Sequence, residues 1–234
     1  MKKLSPKGYE KLISLFSSLS GARSLWECFN DCINLFSLSF QNFSENGDAF
    51  RKGEEEYKQI IGKYKEKEQE LIFHIFAELS NEYELNPFQD LLGELYMRLD
   101  MGSKALGQFF TPYHLAQLCA EMMDITLVKQ EIAENGYVTI NEPSCGAGAN
   151  IIAAMEFLHH NGINYQKEAV VVCQDISALT AKMCHVALSF LGCQAVIKVG
   201  DTLANPFEEY SAERKGSHLL RTPFFVLYGG YKKV

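Results

Sequence analysis

The chain has 234 residues, 47% of them hydrophobic, and a formal net charge of −7 at pH 7. This is enough apolar content for a buried core, in one large domain or two small ones. No apolar run approaches the ~18 residues a membrane helix needs, the start "MKKLSPKGYEKL" lacks the apolar core of a secretory signal, and the acidic balance excludes gripping nucleic acid by bulk positive charge.

In chain order, the first hundred residues read as helices. "SLWECFNDCINLFSL" and "EEEYKQIIGKYKEKEQELIFHIFAEL" repeat apolar residues at three- and four-residue spacing, the second as one long helix with the charged run 51–70 on its wet face. "NPFQDLLGELYMRLD" reads as a further amphipathic helix with Pro87 near its first turn. In "GQFFTPYHLAQLCAEMM", Thr111 is expected to cap a helix starting at Pro112, because a proline there gives up only an N–H without an intrahelical partner.

From residue 137 strands and helices alternate. "YVTINEP" is a short β-branched strand, and "ANIIAAMEFLHHNG" a helix closed by Asn161 and Gly162. "AVVVCQD" is a nearly continuous apolar strand, and "SALTAKMCHVALSFLG" a helix capped by Ser177 and stopped at Gly192. "AVIKVGD" gives a third strand and "FFVLYGGY" a fourth. The pattern predicts a helical domain over 1–106 and an α/β domain over 107–234, a parallel, doubly wound sheet with ligands at the carboxyl ends of its strands.

The cysteines, at 28, 32, 119, 145, 173, 184 and 193, are odd in number and scattered, so reduced thiols and a cytoplasmic setting are expected. Cys28 and Cys32 share a helical face, but no second pair or histidine completes a four-ligand metal set, and Cys145 reads as a small packing residue. No metal site is predicted.

"NEPSCGAGAN" carries the chemistry. Its glycines admit a ligand close to the backbone, and the following helix offers its N-terminus. A phosphate would suit those amides, yet Glu142 about 4 Å from it costs roughly 4 kcal/mol at an effective dielectric near 20, about a thousandfold in affinity, with no lysine in the loop to offset it. Glu142, Asp175 and Asp201 end three successive strands and face one crevice. A ligand with an ammonium or sulfonium centre fits this charge. Asp175, 27 residues after Gly148, suits ribose hydroxyls, and Asp201 suits an adenine amino group. Together these features describe S-adenosylmethionine.

The order "GQFFTP", "NEPSCGAGAN", "QDIS", "GDTL", with "DLLGELYMRL" ahead of it, resembles the N6-adenine DNA methyltransferases, especially the modification subunit of type I restriction systems. The resemblance covers about residues 88–203 and implies a Rossmann-like S-adenosylmethionine-dependent methyltransferase sheet behind an N-terminal all-helical domain. By the same resemblance, Phe110 and Thr111 line the methionine end of the pocket, and Glu142, Pro143, Gly146 and Gly148 form the main loop. Asp175 holds the ribose, Ile176 packs on the adenine and Asp201 meets its amino group. It also implies a partner specificity subunit that recognises DNA; apart from the resemblance, the N-terminal helices, whose charged run reads first as a solvated face, are a candidate surface for a protein partner. The family's catalytic [DNS]PP[YF] tetrapeptide has no match: Gly229, Gly230 and Tyr231 stand where it should end, and only the tyrosine agrees. Two readings stay open, a methyltransferase-family chain without a complete catalytic motif and a non-catalytic S-adenosylmethionine-binding regulatory or interaction protein.

Overall fold

Two turns and a sheet edge set the architecture. In the computed structural model, which describes residues 6–21, 23–43, 45–99, 110–208, 219–232 and 234, the chain divides into two compact units. One comprises Met1–Pro87 and Glu94–Phe109, the other Phe88–Gly93 and Phe110–Val234. Gly107, Gln108 and Phe109 of "GQFFTP" lie outside the described residues.

The first unit is helical: α1 (Pro6–Leu19), α2 (Leu25–Phe43), α3 (Gly47–Ile61), α4 (Glu66–Leu85) and the greater part of α5 (Leu91–Arg98). Helix α1 packs on α4 and α2 on α3. The rings of Phe16 and Phe29 meet at 5.4 Å in a core that also buries Leu12, Ile33, Ile72, Ile75 and Leu79. Cys28 and Cys32 are buried in α2, as core thiols should be. The long helix expected across 54–79 is two helices. Helix α3 stops at Ile61, where Lys63 and the Tyr64 hydroxyl both donate to the buried carboxylate of Asp31 on α2, at 3.1 and 3.0 Å, and hold the chain in a turn. Glu68 then accepts the Lys65 N–H at 2.7 Å and starts α4.

The second unit is built on strands β1 (Val138–Glu142), β2 (Ala169–Asp175), β3 (Gln194–Val199) and β4 (Leu219–Arg221), in that spatial order. Strands β1 to β3 are parallel. Around them run α6 (Tyr113–Glu121), α7 (Ile125–Asn135), α8 (Ala149–His160), the short α9 (Tyr165–Glu168), α10 (Ala178–Leu191) and α11 (Pro223–Leu227). Ser177 caps α10 as expected, accepting from Thr180 N–H at 3.4 Å, and Gly192 closes it with φ 74°. Strand β2 is buried along six of its seven residues, as a strand covered on both faces must be.

Three expectations are corrected. Helix α6 starts at Tyr113 with Pro112 at its cap, and Thr111 is exposed rather than capping. "FFVLY" is not a strand: Phe224–Leu227 belong to α11, capped by Thr222, whose hydroxyl accepts from Phe225 N–H and so starts a helical turn at Pro223. The fourth strand lies earlier, at Leu219–Arg221, and runs antiparallel to β3. Among the described residues the strands therefore wind in one direction only, and β1 forms an edge of the sheet with a shallow apolar groove between it and α7, lined by Leu127, Val128, Val138 and Ile140.

Candidate functional site

The carboxyl ends of the three parallel strands converge as the sequence predicts. Strand register pairs Glu142 with Cys173 and Asp175 with Val199, so the acid at the end of each strand sits beside its neighbour's terminus. The Cys145 N–H donates to the Gln174 carbonyl at 2.9 Å, and the Gly200 N–H to the Asp175 carbonyl at 2.9 Å, extending the sheet pairing into the loops.

Asp175 organises the glycine loop. Its carboxylate accepts from the Gly146 N–H at 2.8 Å, from the Ser177 N–H at 2.9 Å and from the Thr180 hydroxyl at 2.9 Å. Glu142 accepts from the Ser144 N–H and from the Asn150 side-chain amide, both at 3.0 Å. A carboxylate offers about four acceptor positions, so each acid keeps room for a ligand donor. Asp201 is exposed and caps its own turn, accepting from the Leu203 N–H at 2.9 Å.

The loop needs its glycines. Gly146 has φ 52° and Gly148 φ 101°, left-handed values that a side chain disfavours. A Cβ at Gly146 would come within 3.3 Å of the Phe110 ring, and one at Gly148 within 3.3 Å of the Cys184 sulfur. Phe110 is thus brought against the loop. It is held there because α6 packs on α8, where the Tyr113 hydroxyl and the Gln117 amide both donate to Glu156, at 2.9 and 2.7 Å. Burial, and then the Glu156 charge, push the Tyr113 phenol upward, so it stays a donor. Gly148 caps α8 without a side-chain bond, leaving first-turn N–H groups directed to the loop.

The loops after β1 and β3 are joined directly, the Thr202 hydroxyl donating to the Pro143 carbonyl at 2.5 Å. Ile176 is 72% exposed, an apolar side chain held in the open beside Asp175. Phe110, Glu142, Pro143, Gly146, Gly148, Asp175, Ile176 and Asp201 therefore share one rim. Thr111 makes no hydrogen bond among the described residues.

Gly229, Gly230 and Tyr231 do not join them. Antiparallel β4 pairs Leu219 with Lys198 and Arg221 with Val196, carrying the chain toward the amino end of β3. There Thr222 is locked by the Ala195 N–H, which donates to its hydroxyl at 2.9 Å, and a Cβ at Gly230 would meet the Phe225 ring. The expected catalytic position thus follows a helix at the opposite end of the sheet from Glu142.

Sequence reasoning missed two buried residues that build this rim. Gln174 and Lys198 face each other in register; Gln174 donates to the Asn205 carbonyl at 2.9 Å and Lys198 to the Pro206 carbonyl at 3.1 Å. Together they fasten the turn that carries Asp201. Their signal was readable as a polar residue near the end of each apolar strand.

Parallel strands with a glycine turn after the first, a helix N-terminus behind that turn and an acid at or just beyond the end of each strand define a Rossmann-like α/β sheet of the methyltransferase type, preceded by an all-helical unit. The chain belongs to the N-6 DNA methylase family, whose model matches residues 88–224. Among solved structures, a Listeria monocytogenes protein assigned to the class I S-adenosylmethionine-dependent methyltransferases is similar at 14% identity and a TM-score of 0.47, over 98% of this chain and 70% of that one. No curated protein matches the chain.

Proposed function

We propose that the rim binds S-adenosylmethionine and that the chain acts within an adenine-N6 DNA-methylating system. The observation that supports this is the acid-lined glycine turn: Glu142 beside the loop, Asp175 bonded to Gly146 and Asp201 tethered through Thr202 and Pro143. The residues fit the cofactor. Glu142 favours a cationic centre, the uncapped first turn of α8 favours a carboxylate, and exposed Ile176 offers an apolar surface to a base. Phe110 lies against Gly146 and offers an aromatic wall on the loop side.

When bound, S-adenosylmethionine supplies an activated methyl group for an exocyclic adenine amine. The chain's own residues orient and desolvate; Asp175 holds both loop and ribose, and Asp201 holds the adenine amino group. With a net charge of −7, recognition of DNA falls to a partner specificity subunit. The N-terminal helices offer a further protein-contacting surface, and the setting is cytoplasmic, within restriction and modification.

A second reading, a non-catalytic S-adenosylmethionine-binding regulatory protein, is favoured by the position of Gly229–Tyr231 at the far end of the sheet. Calorimetric titration with S-adenosylmethionine and with ATP, for wild type and Glu142→Gln, tests the binding. The sulfonium ligand should bind and ATP should not; ATP binding at this rim with S-adenosylmethionine left free would sink the proposal. A methyl-transfer assay on adenine-containing DNA then separates the two readings.

A further inference from the structure

Cys145, Cys173 and Cys184 come from three different elements, the glycine loop, β2 and α10, yet their sulfurs lie within 4.8 Å of one another. All three are buried, at 5%, 0% and 0% exposure. Cys145 and Cys184 touch the glycine loop through backbone and packing, but none of the three thiols bonds to a rim acid or faces the proposed cofactor. We propose that the cluster is a three-thiolate site for a soft, trivalent, thiophilic centre, of which inorganic arsenic(III) is the simplest.

Size and charge select that class. A trigonal-pyramidal centre with bonds of about 2.3 Å and angles near 100° spaces its sulfurs about 3.5 Å apart, inside the 4.8 Å that bounds the three sulfurs here. Among the described residues the cluster stops at three ligands, one short of the tetrahedral set of structural zinc. Three thiolates around a divalent ion leave one net negative charge, and around a monovalent ion two. Asp175 is close enough for its charge to act on Cys145 and Cys184, so added negative charge in this dry site is doubly unfavourable. A trivalent centre leaves none.

The exchange also spares the protein a bare thiolate. In the reaction with arsenous acid each S–H and each As–OH is lost, three As–S bonds form and three waters leave. Arsenic stays trivalent, and no oxidant or reductant is required.

The site would reach the loop through Cys145. Its N–H donates to Gln174 and its carbonyl accepts from Gly148 N–H at 2.8 Å, so a ligand pulling on this sulfur acts on the backbone that shapes the turn. This coupling, unlike the binding itself, rests on the proposed cofactor reading.

The test is native mass spectrometry of the reduced 234-residue chain titrated with arsenite, in parallel with zinc(II). Expected is one arsenic per chain with the loss of three hydrogens, a new near-ultraviolet absorption, and affinity weakened roughly tenfold or more in Cys173→Ala and Cys184→Ala. The exposed-thiol variant Cys119→Ala and the α2 double variant Cys28→Ala/Cys32→Ala should bind as wild type does. Because core substitutions can unfold the unit, the unsubstituted protein is also loaded with arsenite and then mapped by alkylation in denaturant, where all thiols are open: arsenite should protect Cys145, Cys173 and Cys184, and no other cysteine. Absence of binding, arsenic carried by Cys28 and Cys32, or tighter binding of zinc would each overturn the proposal. Arsenite binding intact in a protein that ignores S-adenosylmethionine would overturn the cofactor reading and leave this one standing.

Discussion

The Asp175 carboxylate accepts the Gly146 N–H at 2.8 Å, so one acid both shapes the glycine loop and faces the candidate pocket. Replacing it should separate from a purely binding residue, because the loop itself loses support. Asp175→Asn keeps the shape but loses the charge and part of the acceptor capacity for three donors. Hydrogen bonds to a charged group contribute about 1.5–3 kcal/mol, so the variant should lose about 2 kcal/mol of stability and bind S-adenosylmethionine roughly tenfold more weakly. Denaturant titration and calorimetry read the two effects independently. Weakened binding at unchanged stability would mean the loop does not depend on this contact.

Gly148 and Gly136 make a matched pair. Both have positive φ, 101° and 82°, but a Cβ at Gly148 meets the Cys184 sulfur at 3.3 Å while one at Gly136 meets nothing within 4 Å. Gly136→Ala should cost about 1 kcal/mol from backbone strain alone, and Gly148→Ala about 2–3 kcal/mol. Equal shifts in urea midpoint would show that the loop can move off Cys184 freely.

His185 makes the fold sensitive to acid. Burial lowers its pKa from 6.5 to about 4, only partly opposed by its hydrogen bond to the Arg221 carbonyl, at 2.9 Å. The folded protein therefore keeps a neutral imidazole that the unfolded chain protonates. Stability tied to this group is fully present above about pH 6.5 and falls as pH drops toward 4, by about 3 kcal/mol in total. In His185→Gln that part of the slope should vanish. Parallel denaturation curves at pH 7 and pH 5 for both proteins check it; identical slopes would mean the imidazole titrates normally.

Phe110 and Gly146 should be energetically coupled. Gly146→Ala brings a methyl to 3.3 Å from the ring, whereas in a Phe110→Ala background only the φ 52° strain is left. A double-mutant cycle is expected to give a coupling of about 0.5–1 kcal/mol, and Phe110→Ala alone should weaken S-adenosylmethionine binding roughly tenfold. Additive effects would place the ring away from the loop in solution.

The legible parts of the fold were those where local signals agree. β1, α8, β2, α10 and β3 announce themselves through β-branched runs, helical periodicity and closing glycines, and Ser177 and Gly192 act as read. Two Thr-Pro pairs show where local signals fail. At Thr111–Pro112 the expected cap-then-proline start is displaced by one residue, while at Thr222–Pro223 that arrangement occurs in full inside a segment read as a strand. A five-residue apolar run fits either element, and buried Thr222, bonded to β3, decides for the helix. The rim acids were readable because strand ends in a parallel sheet are neighbours. The pairing of Gln174 with Lys198 was not, since strand register is a tertiary fact.

That pairing has a thermodynamic consequence. With Gln174 and Lys198 both clamped to carbonyls of the 205–206 segment, the turn bearing Asp201 is anchored before any nucleoside arrives. For the proposed cofactor, little of the association free energy would go to freezing this part of the polypeptide, and discrimination among bases would be a matter of matching a preset template.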